Sequence, residues 1–315
     1  MKKNWILPPK PGRLLTLVGI LAVVWVGERA YRWWRPTLEQ RTAHYFIRSS
    51  ATPEQTEAVG RKVEVLQAAY RGLFRELLPP APTKPSLLKL NLYRSREEFR
   101  RCNRGVGWGE AFYLKPYCHA YFPTAEVSPW QWMVHEAVHQ LNREVAGLEL
   151  AQWADEGVAE YFSTSRFTGE RLRLGVTDPN TYPIWWLEDL PLTGDLEKDL
   201  AAGIVIPLRV LVSGRGSQDM DREFNRFYLH WWSLVQFLME NEGAKHRAAF
   251  LRVLREGASL ESFERHLGPV ESVQRAWYDF FVRQKKLLGD ARWEPANRRA
   301  PCLWTGAPAS DPARS

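Results

Sequence analysis

Apolar positions follow two different spacings along the chain, and the balance between them changes near the middle. Between residues 52 and 78 the apolar residues recur at helical spacing, with Thr52 as the cap and Pro53 in the first turn. Prolines within 79–85 end this helix. The first half is therefore predicted to mix helices and strands. Its other predicted elements are strands at 44–48, 87–93, 111–114 and 119–122 and a helix at 95–101.

Helical spacing dominates the second half of the chain. Ser128 and Pro129 have the pattern of a helix cap followed by a first-turn proline. Residues 168–215 lack regular spacing, and their prolines and glycines predict loops that rim a cleft. Together the two halves predict the α+β class. The helices predicted here are 129–145, 151–164, 218–241, 243–256, 260–267 and 270–285.

An uncharged apolar run, residues 14–26, lies behind four basic residues near the N-terminus. No small-residue cleavage signal follows it, so the pattern predicts an uncleaved membrane anchor. The basic flank is expected to stay in the cytoplasm, which would place the folded domain outside it, in the cell envelope or periplasm. The run is short, since a span needs about 20 residues, and the alternative is a buried helix of the soluble fold.

These patterns divide the chain into four parts. Residues 1–36 form the predicted cytoplasmic N-terminus and anchor, and residues 37–127 form an α/β part of the folded domain. Residues 128–289 form its helical part. Residues 290–315 are rich in proline, alanine, arginine and serine, and we expect this tail to be poorly ordered.

The chain carries a formal net charge of +7, and its isoelectric point is about 9.3. A nucleic-acid partner is one explanation of such a charge. However, no basic run with interleaved aromatic residues resembles a nucleic-acid-binding module. We therefore expect no nucleic-acid partner, and we attribute the charge to basic tails and to a surface beside a membrane.

The chain has three cysteines, and none belongs to a CxxC pair, which argues against a thiolate metal site. Cys102 and Cys118 are 16 positions apart. They could close a disulfide in an exported domain, or they could remain two buried thiols. Cys302 lies in the predicted tail.

The main candidate chemistry lies in the sequence HEAVH at 135–139. On a helix, positions i and i+4 share one face, so His135 and His139 can reach one metal ion while Glu136 lies beside them. The alternative is a pair of surface histidines on an amphipathic helix. A catalytic zinc ion needs three protein ligands and an open position, so a third ligand must follow.

The sequence WADEGVAEYF at 153–162 provides the expected third ligand. Glu156 and Glu160 are again i and i+4 on a predicted helix. Glu156 can complete the zinc site, and Glu160 can accept a hydrogen bond from a ligand histidine. Gly157 is small and is expected to allow close packing of this helix against the HEAVH helix.

These residues predict hydrolysis by a water molecule that zinc activates, with Glu136 as the general base. The oxyanion of the transition state needs a further donor, and Tyr228 and His230 are the candidates. His119 lies in a predicted strand and is expected to be structural rather than a ligand.

HEAVHQL (135–141) and WADEGVAEYF (153–162) together resemble the gluzincin superfamily of zinc peptidases. The closer likeness is to bacterial peptidase MA-like proteins, many of which are conserved domains of unknown function. A later helix of that group is similar to YLHWWSLVQFL (228–238). The resemblance covers about residues 43–285, and only these three motifs are specific.

The resemblance implies a thermolysin-like gluzincin core, in which a small mixed sheet packs on the HExxH helix and a mostly helical lobe follows. Two departures from the family pattern, Ala154 and Trp231, do not involve a ligand. The implied site consists of His135, His139 and Glu156 as zinc ligands, Glu136 as general base, Glu160 beside a ligand histidine and Tyr228 on the later helix.

We therefore expect a membrane-anchored peptidase that uses Zn²⁺ to hydrolyse a peptide or protein substrate. An edge strand, 111–114 or 119–122, is predicted to bind the extended substrate by strand addition. One alternative is a noncatalytic envelope protein that uses the same scaffold for binding. Another is a zinc hydrolase that cleaves a nonpeptide amide. The presence of Glu136 favours catalysis over the binding alternative.

Overall fold

The structure, a computed structural model, describes Gly27, Arg29 and residues 33–289, apart from 81–85, 108, 125–127 and 214–219. Within these residues a five-stranded sheet precedes a mostly helical region, which confirms the predicted mixture of α and β structure. Buried apolar residues of both regions form one continuous core.

The main sheet is built from the strands of the first half. They are β1 (Leu38–Arg41), β2 (Tyr45–Ser49), β3 (Leu88–Tyr93), β4 (Phe112–Leu114) and β5 (Tyr117–Tyr121). Their order across the sheet is β1-β2-β3-β5-β4. The β2–β3 and β3–β5 pairs are parallel and the two outer pairs are antiparallel. β4 is therefore an edge strand of the sheet.

Helices cover the sheet and form the second half. In the first half, Thr52 caps the helix Pro53–Leu73 with a capping box, as its sequence predicts. The helices are α1 (Pro53–Leu73), α2 (Arg96–Cys102), α3 (Gln131–Gln140), α4 (Gln152–Ser163), α5 (Leu196–Ala201), α6 (Leu208–Ser213), α7 (Met220–Ala244), α8 (Arg247–Arg255), α9 (Leu260–Leu267) and α10 (Val270–Gly289).

The HEAVH segment lies on α3, which packs on the inner face of the sheet. Ile47, Leu90 and Cys118 are neighbours in register on that face, and all three are fully buried. Alternation along β5 places His119 on the opposite face, where it contacts Tyr93 and Phe112. The inner face thus supports the metal-binding motif, and the outer face carries a separate aromatic cluster.

The start of α3 differs from the prediction. Ser128 does not cap the helix, which begins at Gln131 without a side-chain cap. Instead, Ser128 Oγ donates to Asp178 Oδ2 at 2.5 Å, and the amide of Tyr182 donates to Gln131 Oε1 at 2.7 Å. These bonds attach the segment after residue 177 to the beginning of α3.

The prediction that residues 168–215 are irregular is wrong for much of this stretch. It contains α5, α6 and most of a two-stranded hairpin. In that hairpin Arg166 faces Arg173 and both are exposed, whereas Phe167, Leu172 and Leu174 pack against the main core. The hairpin strands are β6 (Ser165–Thr168) and β7 (Arg171–Thr177).

The predicted membrane-anchored location is corrected by this structure. None of the helices among the described residues is both long enough and apolar enough to span a bilayer. The run at 14–26 lies outside those residues, and its 13 positions are fewer than the roughly 20 that a helical span requires. The predicted tail at 290–315 also lies outside the described residues.

Cys102 and Cys118 are free thiols, so the disulfide alternative is not realised. Cys118 lies in the main core on the inner face of the sheet, whereas Cys102 packs with Tyr93 and Phe99 on the outer face. The sheet therefore separates the two sulfur atoms. Cys302 lies outside the described residues.

Gly157 allows a close helix contact, but its neighbour is α7 rather than the predicted α3. A Cβ atom at Gly157 would lie 2.7 Å from Val235 Cγ2 and 2.9 Å from the Trp231 carbonyl oxygen. Real Cβ atoms do not approach other atoms this closely, so a side chain here would push the two helices apart. Gly157 thereby holds α7 against the helix that carries Glu156.

We expect Gly157→Ala to lower the free energy of unfolding by about 1–3 kcal/mol, because the added methyl group overpacks this contact. Gly72→Ala is the matched control, since a Cβ atom at this position in α1 meets no atom within 4 Å. The control should be neutral or slightly stabilising. Chemical denaturation of both variants measures the difference, and parent-like stability of Gly157→Ala would contradict the close contact.

Candidate metal site

Three side-chain atoms from two helices converge on one point. His135 Nε2 lies 3.1 Å from His139 Nε2 and 3.2 Å from Glu156 Oε2. His139 Nε2 lies 3.6 Å from Glu156 Oε2. The two histidines come from one face of α3, as their spacing predicts, and Glu156 comes from the first half of α4. This group could hold a metal ion.

The donor atoms fit a cation. The side chains of His135, His139 and Glu156 are 10%, 11% and 18% exposed. Glu156 Oε2 is fully buried and has no hydrogen-bond donor among the described residues, although the two imidazoles lie beside it. A buried carboxylate oxygen without a donor is costly, and coordination to a cation would satisfy it.

Each histidine of the cluster has a carboxylate at its other ring nitrogen. Glu160 Oε1 lies 3.2 Å from His135 Nδ1, and Asp155 Oδ2 lies 3.3 Å from His139 Nδ1. Such partners keep the proton on Nδ1 and leave Nε2 directed at the metal position. Glu160 therefore lies beside a proposed ligand histidine, His135, as the sequence predicts.

Asp155 is a residue of this site that the sequence reasoning missed. Its second oxygen accepts a hydrogen bond from Asn142 Nδ2 at 2.9 Å, and Asn142 Oδ1 in turn accepts from the Tyr70 hydroxyl at 2.8 Å. This buried chain holds Asp155 against His139. A signal was available, because two ligand histidines need two acceptors and Asp155 directly precedes Glu156 in sequence.

The carboxylates shift the proton affinities of the cluster. Burial acts to lower the pKa of His139, but Asp155 and Glu156 outweigh it and raise that pKa to about 10. Burial acts to raise the pKa of Glu156, but the imidazoles of His135 and His139 beside it hold that pKa well below its ordinary value. Metal binding requires unprotonated ligand nitrogens, so a cation at this cluster would compete with protons for the two Nε2 atoms.

Glu136 lies on the same helix, next to His135, and it is partly buried. Its Oε2 atom accepts a hydrogen bond of 2.9 Å from the backbone amide of Tyr113 in the edge strand β4. The structure therefore places a carboxylate between the three-residue cluster and the edge of the sheet. The contact with Tyr113 has no sequence signal, because it joins residues that are 23 positions apart.

Tyr228 of α7 also lies at the cluster. Its ring stacks on the His135 ring, with centroids 6.2 Å apart and planes inclined by 25°. Burial, followed by the charges of Glu156 and Glu160, raises the pKa of Tyr228 far above its ordinary value. The hydroxyl group therefore stays protonated at neutral pH and remains able to donate a hydrogen bond.

His230 is not at the cluster, and its predicted role as an oxyanion donor is dropped. Two residues along a helix turn by about 200°, so His230 faces away from the side that Tyr228 occupies. Its Nδ1 donates to the Arg226 carbonyl at 2.7 Å, and its Nε2 accepts from the Ile206 amide at 3.2 Å. The ring is fully buried, and burial lowers its pKa to about 3.

The His119 ring packs between aromatic rings, which is typical of a structural histidine. Its ring stacks on Phe112 with centroids 4.2 Å apart, and Tyr93 lies on its other side. Burial lowers its pKa to about 4, so the ring is neutral at physiological pH. His119 lies on the outer face of the sheet, whereas α3 packs on the inner face.

The chain was compared with protein-family models and with curated proteins, and neither comparison gives a match.

Proposed function

We propose that this protein is a zinc-dependent peptidase with a thermolysin-like core of the gluzincin type. The observation that carries the proposal is the convergence of His135 Nε2, His139 Nε2 and Glu156 Oε2, with Glu136 on the adjacent helical position. The main sheet packs on the HExxH helix and a helical region follows, which is the arrangement that the resemblance implies.

The spacing of the three atoms supports zinc. Ligand atoms about 2.05 Å from a tetrahedral zinc ion lie about 3.3 Å from one another. The observed separations of 3.1, 3.2 and 3.6 Å are close to that value. Two imidazoles and one carboxylate are also a common ligand set of catalytic zinc sites, in which a fourth position stays open.

Bound zinc would supply a Lewis acid that lowers the pKa of water toward about 7 and polarises a carbonyl group. Glu136 would accept the proton of the attacking water and later deliver it to the nitrogen of the leaving amine. Glu160 and Asp155 would keep the two ligand histidines in the required tautomer. The Tyr228 hydroxyl would donate a hydrogen bond to the oxyanion.

A peptide or protein substrate fits the open edge of the sheet beside Glu136. β4 pairs with β5 on one side only, and on its other side the Tyr113 amide donates to Glu136, so the predicted strand addition would use backbone groups of this edge other than that amide. Leu114 at the end of β4 is 68% exposed, which adds an apolar contact at that edge. An extended substrate on this edge would pass close to the proposed general base.

The test combines metal analysis with hydrolysis. The purified full chain is stripped with a chelator, reloaded with zinc and incubated with a mixed peptide library whose products are identified by mass spectrometry. We expect one zinc ion per chain, cleavage only by the loaded protein, and loss of cleavage when the chelator is added again. Zinc binding without cleavage would favour a noncatalytic binding protein or a nonpeptide amide substrate. Failure to bind zinc would refute the proposal.

A further inference from the structure

The edge strand β4 is bound directly to Glu136. In the antiparallel β4–β5 pair, Tyr113 lies opposite Cys118, and its amide points away from β5. That amide donates to Glu136 Oε2 at 2.9 Å. The sheet therefore does not use this N–H group, and its acceptor is the proposed general base.

The side chain of Tyr113 attaches the same strand to α3 a second time. Its hydroxyl donates to Glu144 Oε1 at 2.9 Å, and Glu144 lies in the π-helical turn that continues α3. Gln140 Nε2 donates to the same oxygen at 3.2 Å and to the Pro116 carbonyl at 3.1 Å. The β4–β5 hairpin is thus also held against α3 and its π-helical continuation by two residues that follow Glu136 along the helix, Gln140 and Glu144.

We infer that Tyr113 is a positioning residue for hydrolysis, whose amide holds the Glu136 carboxylate in place. The inference rests on the proposed function, because the position of Glu136 affects turnover only if Glu136 transfers a proton. A glutamate side chain has several rotatable bonds, and a fixed donor removes the need to reorient it during reaction. The hydrogen bond from the Tyr113 hydroxyl to Glu144 holds β4 close enough to α3 for the Tyr113 amide to reach Glu136.

Proline at position 113 tests the amide selectively. An edge strand tolerates proline where the amide points away from its partner, and Tyr113→Pro removes that donor. Tyr113→Ala is the matched control, because it also removes the side chain but keeps the N–H group. We expect kcat of the proline variant to be about tenfold lower than that of the alanine variant, with similar KM and zinc content, since the lost bond goes to a charged acceptor.

Crystal structures of both zinc-loaded variants provide a readout that does not depend on turnover. Glu136 should leave the edge of β4 in Tyr113→Pro and remain there in Tyr113→Ala. Equal kcat in the two variants, or an unmoved Glu136 in the proline variant, would overturn the inference. A rise in KM with unchanged kcat would also overturn it, since the amide would then bind substrate.

If the parent protein cleaves no peptide, the proposed function fails while the crystal comparison still decides whether the amide holds Glu136.

A second pair of variants covers the case in which Tyr113→Pro does not fold. Tyr113→Phe and Glu144→Ala each break the side-chain attachment and keep the amide. We expect each to lower kcat several-fold at unchanged zinc content, and the double variant to be no worse than either single one. Additive losses would show that the two side chains do not act through one contact, and would count against the inference.

Discussion

Glu136→Gln is expected to keep its zinc and to lose about 10²–10⁴-fold in kcat for peptide hydrolysis. The three proposed ligands do not include Glu136, so the substitution leaves the metal position intact. Glutamine is nearly the same size and can still accept from the Tyr113 amide, but it cannot take a proton from water. The expected loss is therefore chemical and not structural. Zinc content and steady-state kinetics on one peptide substrate measure it.

Glu149→Gln is the matched control, because Glu149 is exposed and lies outside the cluster. It should have the zinc content and the kcat of the parent protein. Parent-like turnover by Glu136→Gln would eliminate Glu136 as the general base, even if zinc dependence were retained. Loss of zinc from Glu136→Gln would instead mean that this carboxylate takes part in binding the metal.

His139→Ala is expected to lose both zinc and activity. The remaining His135 and Glu156 provide two ligands, which is fewer than a protein site of this kind requires. The substitution also removes the histidine partner of Asp155, whose side chain is only 14% exposed. In the parent protein, zinc at about 1,000 times its dissociation constant is expected to stabilise the folded state by about 4 kcal/mol. The variant should show no increase in thermal stability on addition of zinc.

The control for this substitution is His44→Ala. His44 lies outside the cluster, and its side chain is 43% exposed beside Glu64. This variant should bind one zinc ion and be stabilised by zinc as the parent is. Stoichiometric zinc in His139→Ala, with parent-like stabilisation, would show that the metal is bound elsewhere and that the three-ligand assignment is wrong.

Local sequence pattern predicts much of the fold because the relevant interactions are local. Thr52 and Pro53 predict the start of α1, and the structure has a capping box there. The helix at 260–267 begins and ends at the predicted residues, since Ser259 caps it and Gly268 follows it. The hairpin β6–β7 was not predicted, although Arg171-Leu172-Arg173-Leu174 alternates polar and apolar residues as a half-buried strand does.

Some features of the candidate site also follow from local sequence, and others depend on tertiary packing. The spacing of His135 and His139 is sufficient to predict that they share a helical face, because helical geometry determines that relation. The resemblance selects Glu156 as the third residue, and the structure brings it to them. Tyr228 and His230 are two positions apart, so helical geometry places them on opposite faces of α7, and only the packing of α7 decides which of them meets the cluster. One ring stacks on His135, and the other is enclosed by Trp277 and Phe281.

The amino-acid order thus accounts for the longer helices, four of the five strands of the main sheet and the pair of histidines, since each depends on residues a few positions apart. Contacts between distant segments required the tertiary structure. Asp155 on α4 contacts His139 on α3, and the Tyr113 amide of β4 donates to Glu136 on α3. Such pairs form where packing brings two backbones together, so the sequence can indicate Asp155 as a candidate partner but does not show which contact it makes.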